Sequence, residues 1–224
     1  MVEAVYIGTL LPLLFLIITI KGENRRLIQF FAWGLTSALI AYYLNNFIMA
    51  AFRLSQATLT IQVAPAIEET LKAAAVFIYL LRKKKTGLYE ITRTALAIGI
   101  GFSILENYYY LSLMTGTAGQ ARIFFMIIRS LSACLLHGSV TALVGYGIRT
   151  FVNYRYFSLL LTPGLLGLAI VLHSLFNLFA GTENLQVVCL LVPGVLFTLE
   201  FFFFNFFGRK STLTYSLPEE GNRK

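Results

Sequence analysis

At 224 residues, 58% hydrophobic, only 12% charged and with a mean hydropathy of +0.75, the chain is too apolar for a soluble domain, where about a quarter of residues carry charge. It reads as an all-α, polytopic membrane bundle: a single domain over residues 1–207 with a short polar cytoplasmic tail at 208–224. The net charge of +8 raises the question of nucleic acid, which the positions of the charges answer in the negative.

A helix needs about 20 mainly apolar residues to cross the hydrocarbon core. By that measure seven transmembrane helices are expected, at 3–20, 27–51, 59–81, 94–115, 123–148, 158–180 and 187–207. The opening "MVEAVYIG" has no basic leader, and no small-residue cleavage site follows, so no removable signal peptide is expected. Lys21, Arg25 and Arg26 follow the first span, and Arg82 to Lys85 with Arg93 follow the third. Arg149 and Arg155 follow the fifth, and Arg209, Lys210, Arg223 and Lys224 lie in the tail. Fourteen of the 18 Lys and Arg therefore fall on one side, against Arg53 and Arg122 on the other. Basic loops stay cytoplasmic, which puts the N-terminus outside and the C-terminus inside. The charge then anchors helices, with anionic lipid as a further partner of the Arg82–Lys85 cluster. Cys134 and Cys189 sit in apolar runs and are expected as buried free thiols.

Glu68, Glu69, Lys72, Glu106, Arg129, His137, His173 and Glu200 remain inside spans. A charge at the bilayer centre costs on the order of 2.5–3.5 kcal/mol, and such residues by default face the bundle interior and mark a functional site. With about 1.5 Å of rise per residue, Glu68 and Glu106 each lie roughly 14 Å from the outer end of their spans, His137 near 21 Å and His173 near 11 Å. All four fit one layer in the outer half of the membrane. Glu200 falls outside it, and Arg129 is expected to pair with a carboxylate or an interfacial carbonyl. Cys134, one turn from His137, is expected only to pack.

Local sequence favours a meeting of these groups. Glu68 and Lys72 are four apart and Glu69 and Lys72 three apart, so Lys72 can neutralise one carboxylate while the other faces a cavity. Pro65 loosens the backbone just upstream. Gly99 and Gly101 precede Glu106 and allow close helix approach, and "HSLFN" sets His173 and Asn177 one turn apart on one face. Each feature also has a purely structural reading: an ion-pair knot for Glu68, Glu69 and Lys72, a buried acid for Glu106, core hydrogen bonding for the two histidines.

Carboxylates and imidazoles in a shielded cavity are the parts of a water-activating hydrolase. Drawn from Glu68, Glu106, His137 and His173, two histidines and a carboxylate can hold a zinc-type ion that acidifies water. Alternatively a carboxylate takes the water proton directly, while His and Asn orient water and stabilise the oxyanion. The His-Glu-x-x-His helix of soluble metalloproteases is absent.

The segments "EETLK", "GFSILEN", "RSLSACLLHGSVTALVG" and "HSLFN" occur in the order found in PrsW-type intramembrane proteases, relatives of the CAAX prenyl endopeptidases and bacteriocin-processing proteases. The chain resembles that family over about residues 60 to 180. The resemblance implies an active-site set of Glu68, Glu69, Glu106, His137 and His173, with Lys72 supporting the glutamate pair and Asn177 where the last motif's Asn or Asp falls. Glu106 stands where the CAAX branch has His, which weakens the case for a metal and leaves Glu68 as general base, with or without zinc. The implied substrates are membrane-anchored proteins or peptides, anti-sigma factors among them, in a bacterial plasma membrane. An ion-coupled transporter with a midplane Glu/His site is the alternative, and a non-catalytic membrane scaffold or immunity protein the third reading.

Overall fold

The computed structural model describes residues 21–82, 86–151 and 155–214, together with 14, 17 and 18. Most of the expected first span, Lys83 to Lys85 and residues 215–224 of the tail lie outside the described residues. Among those described, every regular element is helical: α1 (Gly22–Phe52), α2 (Ala64–Arg82), α3 (Leu88–Leu113), α4 (Gly119–Leu131), α5 (Ala133–Phe151), α6 (Arg155–Ala180) and α7 (Gln186–Thr214). Helices satisfy their own backbone, which is why they are the open-chain way through hydrocarbon.

Among the described residues, four stretches are long and apolar enough to cross a membrane: Asn24–Phe52, Leu88–Leu113, Gly119–Thr150 and Leu161–Ala180. They match the expected second, fourth, fifth and sixth spans. The expected third corresponds to α2, whose apolar run is interrupted by Glu68, Glu69 and Lys72. The expected seventh is the shorter apolar stretch Gln186–Phe202 within α7, and that helix continues to Thr214 through the first residues of the expected tail. The expected fifth span is broken at Ser132 into α4 and α5. Ser132 Oγ donates to the Ile128 carbonyl at the break.

α3 is the central post, packed between α1 and α5. Its residues Ile91, Ala95, Ile98, Phe102 and Leu105, at three- and four-residue spacing, are buried. Small residues let backbones touch, the usual device of membrane helix pairs. A Cβ on Gly34 of α1 would collide with the Ile98 carbonyl, and one on Gly101 with the Phe31 carbonyl. On the other flank a Cβ on Gly99 would collide with the backbone of His137 and Gly138. Gly99 thus fixes the level at which α5 delivers His137 beside α3.

α2 inserts its polar face into this group. Ser55 caps a short helical turn (Gln56–Thr58), its Oγ accepting from the Thr58 amide at 3.1 Å. A π-helical turn (Leu59–Val63) then leads into α2. The irregularity expected at Pro65 therefore lies just before it. Asn177 Nδ2 of α6 donates to the Thr60 carbonyl in that turn at 2.9 Å, pinning the entry of α2 to α6.

Candidate active site

The face of α2 that points inward carries Glu68, Glu69 and Lys72, all buried. Lys72 is fully enclosed, at 0% exposure. Its Nζ donates to Glu69 Oε1 at 2.6 Å and to His137 Nδ1 at 2.8 Å, and lies 4.6 Å from the centroid of the Phe102 ring. An ammonium has donors only, so His137 Nδ1 accepts and its proton sits on Nε2. That N–H donates to Glu106 Oε2 at 3.1 Å.

His173 of α6 has the opposite polarity. Its Nδ1 meets Glu69 Oε1 at 2.8 Å, and a carboxylate can only accept, so Nδ1 carries the proton. Nε2 then offers a lone pair, 3.8 Å from Glu68 Oε2. The two imidazoles stand edge-to-face with centroids 4.7 Å apart. One presents a donor and the other an acceptor, a difference set by Lys72 and Glu69 behind them.

The adjacent glutamates have divided roles in the packing. Glu69 is consumed by Lys72 and His173. Among the described residues, Glu68 instead accepts one bond, from Asn45 Nδ2 at 3.3 Å. It lines a cavity of about 80 Å³ shared with Glu106, Thr60, Tyr110 and Asn177. That is room for several water molecules. The cavity lies where α1, α3 and α6 end and α2 begins, at the end of the bundle that the basic-residue pattern assigns to the outside.

The expected residues Glu68, Glu69, Lys72, Glu106, His137 and His173 are therefore one contiguous group drawn from four helices. Asn177 lines the cavity, but its amide is spent on Thr60. Arg129, from the poorly covered α4, pairs with Glu106 Oε2 at 2.8 Å and donates to Asn107 Oδ1 at 2.9 Å. Its guanidinium lies 3.9 Å from the Tyr110 ring centroid. Glu200 stands apart, in a separate cavity with Arg93 between α3 and α7. Cys134 is half-buried, Cys189 is buried, and both are free thiols. Sequence reasoning missed Asn45, Asn107, Phe102 and Tyr110. The pair Asn45–Asn46 in an otherwise apolar span was the available signal for the first.

The donor set suits a metal. Glu68, His137 and His173 can each offer one ligand atom, and these atoms lie within 4.8 Å of one another. Glu68 Oε2 is buried without a hydrogen-bond partner among the described residues, as a carboxylate reserved for an external group would be. One carboxylate with two imidazoles is a familiar zinc set.

These features gather a carboxylate and two imidazoles at a cavity among apolar helices. Compared with known families, residues 23–205 match the PrsW family intramembrane metalloprotease. The chain belongs to that family, and it is a peptide hydrolase working on protein in a lipid environment. The transporter and scaffold readings give way to this class. No curated protein and no solved structure matches the chain.

Proposed function

We propose that the chain is an endopeptidase of the bacterial plasma membrane that cuts a membrane-anchored protein or peptide with water activated by Glu68. The observation that carries the reading is the partition of the glutamate pair: Glu69 is saturated by Lys72 and His173, while Glu68 keeps a free oxygen at a cavity. Glu68 takes the proton of a water lodged between it and His173 Nε2, the hydroxyl adds to the peptide carbonyl, and Glu68 returns the proton to the leaving amine. The His137 Nε2–H, held by Lys72 from behind and bonded to Glu106, is the nearby donor that can turn to the developing oxyanion. Asn177 helps by keeping the cavity wall in place.

The family's metal would be held by Glu68 and His173, with His137 joining through Nε2 only by giving up its bond to Glu106. A divalent ion supplies Lewis acidity toward the carbonyl and acidifies water. We read the fold as seven spans in one domain over 1–207, with the N-terminus outside and the tail cytoplasmic, because the basic loops alternate with that count.

The test is cleavage of a reporter peptide by purified Glu68→Gln and His173→Ala, both expected to lose at least a hundredfold in kcat, the lower bound for losing a positioned proton-transfer group. Elemental analysis of the same preparations should give less metal per chain in His173→Ala than in the native protein if the ion is resident. Full activity in both variants refutes the assignment.

A further inference from the structure

Two acceptors at the cavity are buried and have no hydrogen-bond partner among the described residues: Glu68 Oε2 and Asn45 Oδ1. Both side chains line the same space. The orientation of the Asn45 amide follows from chemistry. Turned over, its oxygen would confront Glu68 Oε1 at 3.3 Å, acceptor against acceptor. Nδ2 therefore faces the glutamate, and Oδ1 is the atom left over. Neither acceptor takes a bond from the polar groups around it: Asn177 Nδ2 donates to the Thr60 carbonyl, Arg129 to Glu106 and Asn107, and Lys72 to Glu69 and His137. A buried acceptor without a donor is costly, so whatever fills the cavity has to bring N–H or O–H groups.

We infer that Asn45 is a positioning and substrate-binding residue. Its amide N–H holds Glu68 so that Oε2 faces the cavity, and its Oδ1 accepts a hydrogen bond from a backbone N–H of the peptide beside the scissile bond. The inference rests on the reading of Glu68 as the base. It also narrows the substrate class, because the N–H groups inside a helix are already spent on its own carbonyls. The bound segment is therefore unwound where it meets Asn45.

The experiment uses full-length protein in detergent and a fluorogenic single-span peptide chosen from a panel because the native protein cleaves it. N-methylated versions remove one amide N–H at a time on either side of the cut. Native protein should lose about tenfold in kcat/KM at one methylated position, the size of one hydrogen bond. Asn45→Ala, which loses both bonds, should lose more than about tenfold on the parent peptide, with KM raised and kcat lowered, and should lose nothing further at that same position. Asn45→Asp keeps an acceptor but not the donor, so it should retain the penalty at that position while kcat falls. It also keeps the idea testable if the alanine variant does not fold, since an Asp variant blind to methylation overturns the contact. Native-like kinetics of Asn45→Ala on the parent peptide overturn it, as do losses that multiply at every methylated position. Glu68→Gln run alongside separates the two claims: an active Glu68→Gln sinks the base assignment, whereas the methylation pattern alone judges Asn45.

Discussion

Lys72→Met should expose how the centre is held together. Lys72 is 0% exposed and Glu69 2% exposed, with Nζ and Oε1 only 2.6 Å apart. Methionine fills much the same space but leaves Glu69 with the His173 N–H as its remaining bond among the described residues. Removing one partner of a buried ion pair costs about 3–5 kcal/mol, because the other charge stays behind unpaired. At about 2–4 °C per kcal/mol for a chain of this size, Tm should fall by roughly 6–20 °C. Lys72→Met combined with Glu69→Gln removes both charges and should recover most of the loss, since a neutral replacement for a buried pair is often tolerated. The assay is thermal unfolding in detergent followed by tryptophan fluorescence. Trp33 is the single tryptophan, and its Nε1 donates at 3.0 Å to the carbonyl of Leu71, the residue before Lys72. A single variant within about 1 kcal/mol of the native protein would refute the argument, and so would a double variant as unstable as the sum of its parts. The recovered double variant should still cleave slowly, because His173 loses the carboxylate that orients its ring.

Other expectations follow from the packing and the charge network. Gly99→Ala forces a Cβ into the backbone of His137 and Gly138; it should cost about 1–3 kcal/mol of stability and, by moving His137, lower peptide cleavage by more than tenfold. Gly164→Ala, where a Cβ meets nothing within 4 Å, should shift stability by less than about 1 kcal/mol in the same melting assay. Arg129→Leu strips Glu106 and Asn107 of their shared donor and should reduce kcat by about tenfold or more, which steady-state cleavage measures directly. Glu90→Ala breaks a pair with Arg26 that is 2.7 Å long but 28% and 23% exposed; it should change stability by about 1 kcal/mol or less in the melt.

Much of the centre was legible in the sequence because charges are so costly in hydrocarbon that each one left inside a span had to be answered by another. The spacing of Lys72 three and four residues after Glu69 and Glu68 announced an ion pair with one of the two, and the shared depth of Glu68, Glu106, His137 and His173 announced their meeting. Three things were not legible. Which glutamate Lys72 would take depended on where α5 and α6 lay around α2, a tertiary matter that spacing leaves open. The break at Ser132 carries neither Pro nor Gly, so nothing in the apolar pattern separates α4 from α5. Asn177 looked poised to act on the same ligand as His173, yet in the π-helical turn before α2 the Thr60 carbonyl takes its amide; Pro65 announced an irregular backbone there, but not which side chain would answer it.

The adjacency of Glu68 and Glu69 has a geometric consequence for the proposed chemistry. Neighbouring residues on a helix point about 100° apart, so two consecutive buried carboxylates must face different partners. Glu69 faces the cation and, through His173 Nδ1, dictates that His173 Nε2 carries a lone pair. Glu68 faces the cavity beside that same lone pair. One carboxylate thus sets the polarity of the imidazole with which the other works, and a single substitution cannot exchange them. Moving the acid by two positions, as in Glu68→Gln with Thr70→Glu, would place the new carboxylate on an exposed arc of α2 and should leave cleavage at the level of Glu68→Gln alone. Recovery of activity in that double variant would mean that a carboxylate near this level suffices without the cavity geometry, and the division of labour between the two glutamates would fall with it.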